Sequence, residues 1–320
     1  MGTVTQITIA KRTGFCYGVR EAIDMAKESS SAGRMTTTLG QVVHNEGVIA
    51  DLQALGIRTV DSLDDVDRGA AVVIRAHGVR PEVMERAAAR GLDVIDGTCT
   101  WVIQEQRELV RLVEEGYTIV LLGTPKHPEV VGLLGFAPDA IVVDEEDDWE
   151  RIPRRKKMAL ISQSTQPPWK FEKLAAYMVG RSHELKIVNT VCPVTIRRQE
   201  DTLETARTVD LMVVVGGRSS ANTKELTRLC GIVGTPALQV EGVRELVDAA
   251  PFEGVHVVGV TGGTSTPIED LRHVARRVLE LAGTADAAAR ADELALAALT
   301  AAATPAGRTT SLPSAIAGAA

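Results

Sequence analysis

Three cysteines, Cys16 in RTGFCYGV, Cys99 in VIDGTCTWV and Cys192 in IVNTVCPVT, stand far apart in the chain but in similar company. Each follows a β-like run or a tight turn and precedes residues spaced as on one face of a helix. Val19, Ala22, Ile23 and Ala26 follow Cys16, and Val102, Ile103, Leu109, Val110 and Val113 follow Cys99. Thr195, Ile196, Leu203 and Ala206 follow Cys192. Each thiol is therefore expected at or just before a helix N-terminus. The partial positive charge there favours the thiolate, the form that binds iron. The three cysteines cut the chain up to about residue 280 into comparable thirds, as if each third gave one ligand to a shared centre. Three thiolates around one point suit an iron–sulfur cluster with one iron left open. Zinc competes, but structural zinc sites close with four ligands and commonly use C-x-x-C pairs, which this sequence lacks. Taken singly, each cysteine also reads as a small buried hydrophobe. The parallel placement is what points to a common role.

A second set of residues suits an anion. His44 in VVHN, His77 in AHGV and His127 in KHPEV fall in expected strand-end loops, while His183, His256 and His273 read as surface residues. Imidazole can donate to phosphate oxygens and pass protons near neutral pH. The loops GGRSSAN, with Ser220 and Asn222, and VTGGTSTP, with Ser265, set glycines and hydroxyls ahead of a helix in the manner of an anion nest. Neither has the Gly-Lys-Ser/Thr ending of a Walker A loop, and either alone reads equally as an N-cap. With the three histidines, the loops suggest a small phosphorylated ligand held mostly by neutral donors. Glu129 lies two residues after His127. It reads either as an exposed first-turn carboxylate or as a proton source for a hydroxyl leaving as water, its pKa raised by a neighbouring anion.

The elements that must position these residues follow one repeated pattern: a β-branched run, a Gly-containing polar loop, then a helix. It recurs in AAVVIRAHGVRPEVMERAAAR, YTIVLLGTPKHPEVVGLLG, MALISQSTQPPWKFEKLAAYM, DLMVVVGGRSSANTKELTRLC and HVVGVTGGTSTPIEDLRHVARRVLELAG. Near-continuous Val/Ile/Leu runs alternating with helices indicate parallel sheets covered on both faces, hence an α/β fold. Such sheets bind ligands outside the carboxyl ends of their strands, where all these loops fall. Modules are drawn at 17–99, entered through Cys16, at 100–191, and at 192–279, with the N-terminal strand of 1–15 completing the last. Residues 285–320 are Ala-rich. A surface helix is expected over 285–303 and disorder beyond it.

Composition excludes several function classes. Only 3% of residues are aromatic and the formal net charge is −7, so neither a base-stacking platform nor a phosphate-tracking surface is expected, and no nucleic-acid partner. The one basic run, RIPRRKK at Arg151–Lys157, is flanked by the acidic DEEDDWE and reads as a solvated loop. No apolar stretch is long enough to span a bilayer, and the N-terminus lacks the pattern of a secretory signal. Cytoplasmic residence without membrane attachment is expected. In that reducing compartment four cysteines are metal ligands or free thiols rather than disulfides.

The motifs GFCxGV, VVHN, AHGV, DxTC, HPEV, SQST, SSxN and GGTSTP, in this order over about residues 5–280, resemble the IspH/LytB family of 4-hydroxy-3-methylbut-2-enyl diphosphate reductases. The resemblance implies three α/β modules in a trefoil around a [4Fe–4S] cluster held by Cys16, Cys99 and Cys192, with the fourth iron open to the substrate hydroxyl. It implies an allylic diphosphate clamped by His44, His77, His127, Ser220, Asn222 and Ser265. Glu129 matches the acid that assists C–O cleavage, with His127 and Ser164 beside it, Ser164 standing where the family usually has Thr. It further implies an electron donor such as ferredoxin or flavodoxin, and isopentenyl and dimethylallyl diphosphate as products. Cys230 matches no ligand. Departures fall at Thr100, Pro193–Val194, the TIRRQ segment, Ala221 and Val131–Gly132–Leu133. They leave room for a divergent paralogue, either a cluster-dependent dehydratase or a non-catalytic iron–sulfur binding protein.

Overall fold

The computed structural model describes residues 4–303 apart from 44, 219 and 285, with the side chains of 301–303 also set aside. Strands are numbered along the chain: β1 Gln6–Ile9, β2 Thr36–Leu39, β3 Arg58–Val60, β4 Ala71–Ile74, β5 Asp93–Asp96 and β6 Thr118–Leu122. They continue as β7 Ile141–Val143, β8 Arg155–Ser162, β9 Ser182–Ile187, β10 Leu211–Val215, β11 Ala237–Val240 and β12 Val257–Gly262. The helices are α1 Tyr17–Ser31, α2 Glu46–Ala54, α3 Pro81–Ala89, α4 Thr100–Glu114 and α5 Pro128–Leu133, then α6 Pro168–Val179, α7 Pro193–Ala206, α8 Ala221–Ile232, α9 Ile268–Leu281 and α10 Ala287–Ala303.

Twelve strands form three four-stranded sheets, ordered β1-β12-β10-β11, β3-β2-β4-β5 and β7-β6-β8-β9. Every pairing is parallel, so every strand needs a crossover and both faces of each sheet are covered. The central strands show how. In β6, Val120 and Leu122 face one core cluster while Ile119 and Leu121 face another. In β10, Leu211, Val213 and Val215 separate from Met212 and Val214 in the same way. Alternation along a strand sends neighbours to opposite faces, which is why these runs are apolar throughout. Each such side chain contributes about 1.5–3 kcal/mol by leaving water.

The connections between sheets carry the functional point. β1 belongs to the first sheet, yet α1, entered through Cys16, packs Val19, Ala22, Ile23 and Ala26 against Val73 of β4 in the second. β5 ends the second sheet, and α4, entered through Cys99, packs Leu109 and Leu112 with Ile119 and Leu121 of β6 in the third. β9 ends the third, and α7, entered through Cys192, packs against α8 and β12 of the first. Each cysteine thus sits where the chain leaves one sheet and begins the first helix of the next. The cycle closes on itself.

Three local expectations are corrected. Val110 and Val113 are exposed on α4, whose buried stripe is Val102, Glu105, Leu109 and Leu112. The basic run is not all loop, because Arg155, Lys156 and Lys157 are the exposed first residues of β8, whose Arg155 pairs in register with Ser182. The Ala-rich helix α10 is more than a surface element. Its Ala287, Ala291, Ala295 and Ala298 pack into the core of the first sheet beside α9. Small side chains let the two helix backbones approach closely. Residues 304–320 lie outside the described residues.

Candidate active site

Cys16, Cys99 and Cys192 are the N-cap residues of α1, α4 and α7. The loops that hold them are pinned by backbone bonds to the carboxyl ends of neighbouring strands. Cys16 N–H donates to Thr264 O (3.1 Å), Cys99 N–H to Ala76 O (3.0 Å) and Cys192 N–H to Ser164 O (2.8 Å). Gly18 shows how near two of these junctions come. A Cβ placed there would lie 2.6 Å from the Cys99 sulfur, so a side chain at this position would displace it. Cys16 also feels the charge of both other thiols, and Cys192 that of Cys99. Among the described residues no three His, Cys, Asp or Glu side chains gather closely enough to hold a single metal ion. A polynuclear cluster asks for a wider set, since each thiolate takes a different iron.

At Cys16 and Cys192 the helix terminus does pull on the thiol, but burial opposes it. Burial pushes Cys16 up, opposed by the Val19 N–H and by Arg198. Burial likewise pushes Cys192 up, opposed by the Thr195 and Val194 N–H groups. At both, the cost of burying the anion exceeds the help from the terminus. None of the cysteines forms a disulfide. Cys230 differs from the rest: it is buried, donates to Leu226 O (3.2 Å) within its own helix, and is pushed up to about 11.

Arg198 was not singled out by sequence reasoning. It is 2% exposed, and its guanidinium donates to Gly262 O and Gly263 O (both 2.8 Å) and to Gly14 O (2.7 Å). It ties the loop before Cys16 to the loop after β12 and sets a positive charge near Cys16 and Cys192. Burial lowers its pKa to about 10, which leaves it charged at neutral pH. Of the residues expected on the helical face of α7, Thr195 and Ala206 are buried and Ile196 and Leu203 pack partly buried against core clusters; α7 also buries the polar Arg198, Gln199, Asp201 and Thr202.

The residues expected to act on a substrate fall in two groups. In one, His77 and His127 meet edge to face with ring centroids 5.2 Å apart. The contact depends on α5 leaning against the loop after β4, where Gly132 lies within 3.6 Å of Gly78 and Val79 backbone atoms if given a Cβ. His127 caps α5, its Nδ1 accepting from Glu129 N–H (3.2 Å). Glu129 is 2% exposed, not a surface carboxylate. Its Oε1 accepts from Ser164 N–H (2.5 Å) and its Oε2 from the Ser164 hydroxyl (2.9 Å). Burial raises its pKa, with the Ser164 bonds holding it back.

The second group lies at the first sheet. Ser220 caps α8, accepting from Thr223 N–H (3.3 Å), which satisfies the N-cap reading of that loop. Asn222 is 5% exposed, and neither end of its amide has a partner among the described residues. A buried, unsatisfied amide is costly unless a ligand completes it. It stands 3.7 Å from a Cβ position at Gly263, beside the loop of Ser265, itself half-buried. His44 lies outside the described residues, but its neighbour Asn45 donates to Asp270 Oδ2 of α9 (2.9 Å), which ties that loop to the same end of the sheet. The cysteine loops connect the two groups, Cys192 N–H bonding Ser164 O beside Glu129 and Cys16 N–H bonding Thr264 O beside Ser265.

The LytB protein family model matches residues 7–279. A 4-hydroxy-3-methylbut-2-enyl diphosphate reductase of Geobacter metallireducens is 36% identical over 277 residues, covering 86% of this chain and 98% of that protein. Its counterpart in Geobacter sulfurreducens is 37% identical over 276 residues, covering 86% and 97%. Among solved structures, an (E)-4-hydroxy-3-methyl-but-2-enyl diphosphate reductase described as the terminal enzyme of the non-mevalonate pathway aligns with TM-score 0.67 at 33% identity, over 88% of this chain and all of that one. A Plasmodium falciparum reductase aligns with TM-score 0.79 at 26% identity, over 84% and 86%.

Proposed function

The chain belongs to the LytB protein family, and on that premise we propose that it reduces 4-hydroxy-3-methylbut-2-enyl diphosphate to isopentenyl and dimethylallyl diphosphate. The observation that carries the reading is that three sheet-to-sheet junctions, each capped by a cysteine, lie near enough for their thiols to act on one another, beside loops rich in neutral hydrogen-bond donors.

The donor set fits a [4Fe–4S] cluster on Cys16, Cys99 and Cys192: three thiols on separate helix starts, none in a disulfide, with a buried guanidinium nearby. When bound, such a cluster supplies low-potential electrons and a Lewis-acidic iron. The remaining chemistry falls to the chain. His77, His127, Ser220, Asn222 and Ser265, with His44, hold the diphosphate through neutral donors, whose desolvation costs less than that of lysines. Asn222 completes its amide on the ligand. Glu129 delivers a proton toward the leaving hydroxyl at the Ser164 hydroxyl, the atom its Oε2 already touches. Burial around the carboxylate excludes water and raises its pKa, which suits it to take up and pass on a proton.

The modules are taken as 17–99, 100–191 and 192–279 with the N-terminal strand. Electrons come from a small one-electron carrier of the ferredoxin or flavodoxin class, and the reaction runs in the cytoplasm. Among the described residues no helix is long and apolar enough to cross a membrane. Anaerobic incubation of the cluster-loaded protein with a chemical reductant and the allylic diphosphate tests the proposal. Both isoprenoid diphosphates should accumulate with two electrons consumed per product. Water loss without electron consumption would assign the chain to dehydration instead.

A further inference from the structure

Three acids are buried among the described residues, and they differ in what meets them. Asp201 is met by the Arg12 guanidinium (2.6 Å) and Glu129 by Ser164. Glu105 is 0% exposed, and no N–H or hydroxyl among the described residues reaches either of its oxygens. Its hydrogen-bond neighbour is the other carboxyl, Glu129. Two carboxylates at that range repel, so the contact is a bond only when one of them carries a proton. The surroundings decide which. Both oxygens of Glu129 already receive donors, which stabilise its anion. Glu105 has none, and it sits on the buried stripe of α4 between Val102 and Leu109.

We propose that Glu105 is the proton store of this site, holding a proton at neutral pH and passing it through Glu129 and Ser164 toward the substrate hydroxyl. The proposal rests on the reductase reading given above. Burial, the charge of Glu129, and the thiols of Cys192 and Cys99 all push the pKa of Glu105 well above the ordinary carboxyl range, while contact with Glu105 pulls that of Glu129 down. Those three groups, on α5 and at the starts of α7 and α4, are the titratable neighbours that act on it. The transfer balances. The substrate takes two electrons from the external carrier and two protons, its C–O bond breaks and a C–H bond forms. The leaving oxygen takes one proton from the Ser164 hydroxyl, which is refilled from Glu129 and that in turn from Glu105. Glu105 is left as a carboxylate and regains a proton from water; the proton that goes to carbon is not drawn from it. Acting through Glu129, Glu105 is a positioning residue.

The test has two arms. In the metal-free, full-length protein labelled with carboxyl-13C glutamate, infrared spectra at neutral pH should show a protonated-carboxyl band. It should shift in deuterated water, be missing from Glu105→Gln and persist in Glu129→Gln. In the loaded enzyme, Glu105→Gln should keep wild-type iron content and KM while kcat falls about tenfold or more. The variant should also lose the fall in kcat that the wild type shows as pH rises through the titration of the pair, and Glu105→Asp should recover part of the rate. Absence of the band from the wild type, or its survival in Glu105→Gln, overturns the proposal, as does a wild-type rate and pH profile in that variant. If the wild type does not turn over the allylic diphosphate, the reductase reading falls, and the infrared arm still decides where the proton resides.

Discussion

Cys16 and Cys230 are both thiols whose pKa burial raises, yet they stand in opposite situations. Cys230 lies near the end of α8, donates to a carbonyl of its own helix and packs with Leu226 and Leu229. Its hydrogen bond and its contacts are complete. Cys16 caps the start of α1, at a junction between two sheets, with the Val19 N–H on its sulfur, a buried arginine nearby and two other thiols acting on it. A pKa raised by burial therefore does not distinguish a ligand from a core residue. Position in the topology does: helix start at a crossover against helix end within one layer.

The sharpest way to break the comparison is to exchange the outcomes of substitution. Cys99→Ser should abolish the cluster and with it all turnover, read as loss of the visible absorption and of iron. Glu129→Gln should retain the cluster and bind substrate while kcat drops by about 10²–10⁴-fold, since only proton delivery is removed. Arg198→Met should destabilise the fold by about 3–5 kcal/mol in chemical denaturation, because three buried carbonyls lose their donor. Cys230→Ser, at the far end of the comparison, should leave iron content and turnover unchanged and shift the melting midpoint by only a few degrees, the cost of about 1 kcal/mol for a buried hydroxyl.

Much of the site was legible because helix starts, strand ends and loop chemistry leave local traces. The apolar residues spaced after Cys16 are all buried on α1, which also buries Gly18 and Ser29. The parallel sheets were readable from runs that alternate between two cores. Glu105 and Arg198 escaped because apolar periodicity looks past charged residues, although Glu105 stands three residues after Val102 and four before Leu109, on the stripe itself. A charge at a buried helical position was the available signal. For α7 the pattern found Thr195 and Ala206 but passed over the buried Arg198, Gln199, Asp201 and Thr202, because apolar periodicity does not register polar residues. The desolvation of the thiols was not legible for a related reason. A helix terminus can be read from sequence, but desolvation depends on what the rest of the chain packs around the sulfur.

The central claim is that three sulfurs from three sheet junctions share one iron–sulfur centre with a position left for substrate. Mössbauer spectroscopy of the 57Fe-loaded, anaerobic protein tests it most directly, before and after addition of the allylic diphosphate. Roughly one iron in four should differ from the other three and change when the substrate binds. A spectrum in which all irons are alike and unmoved by substrate, or one with no cluster iron at all, would contradict the account.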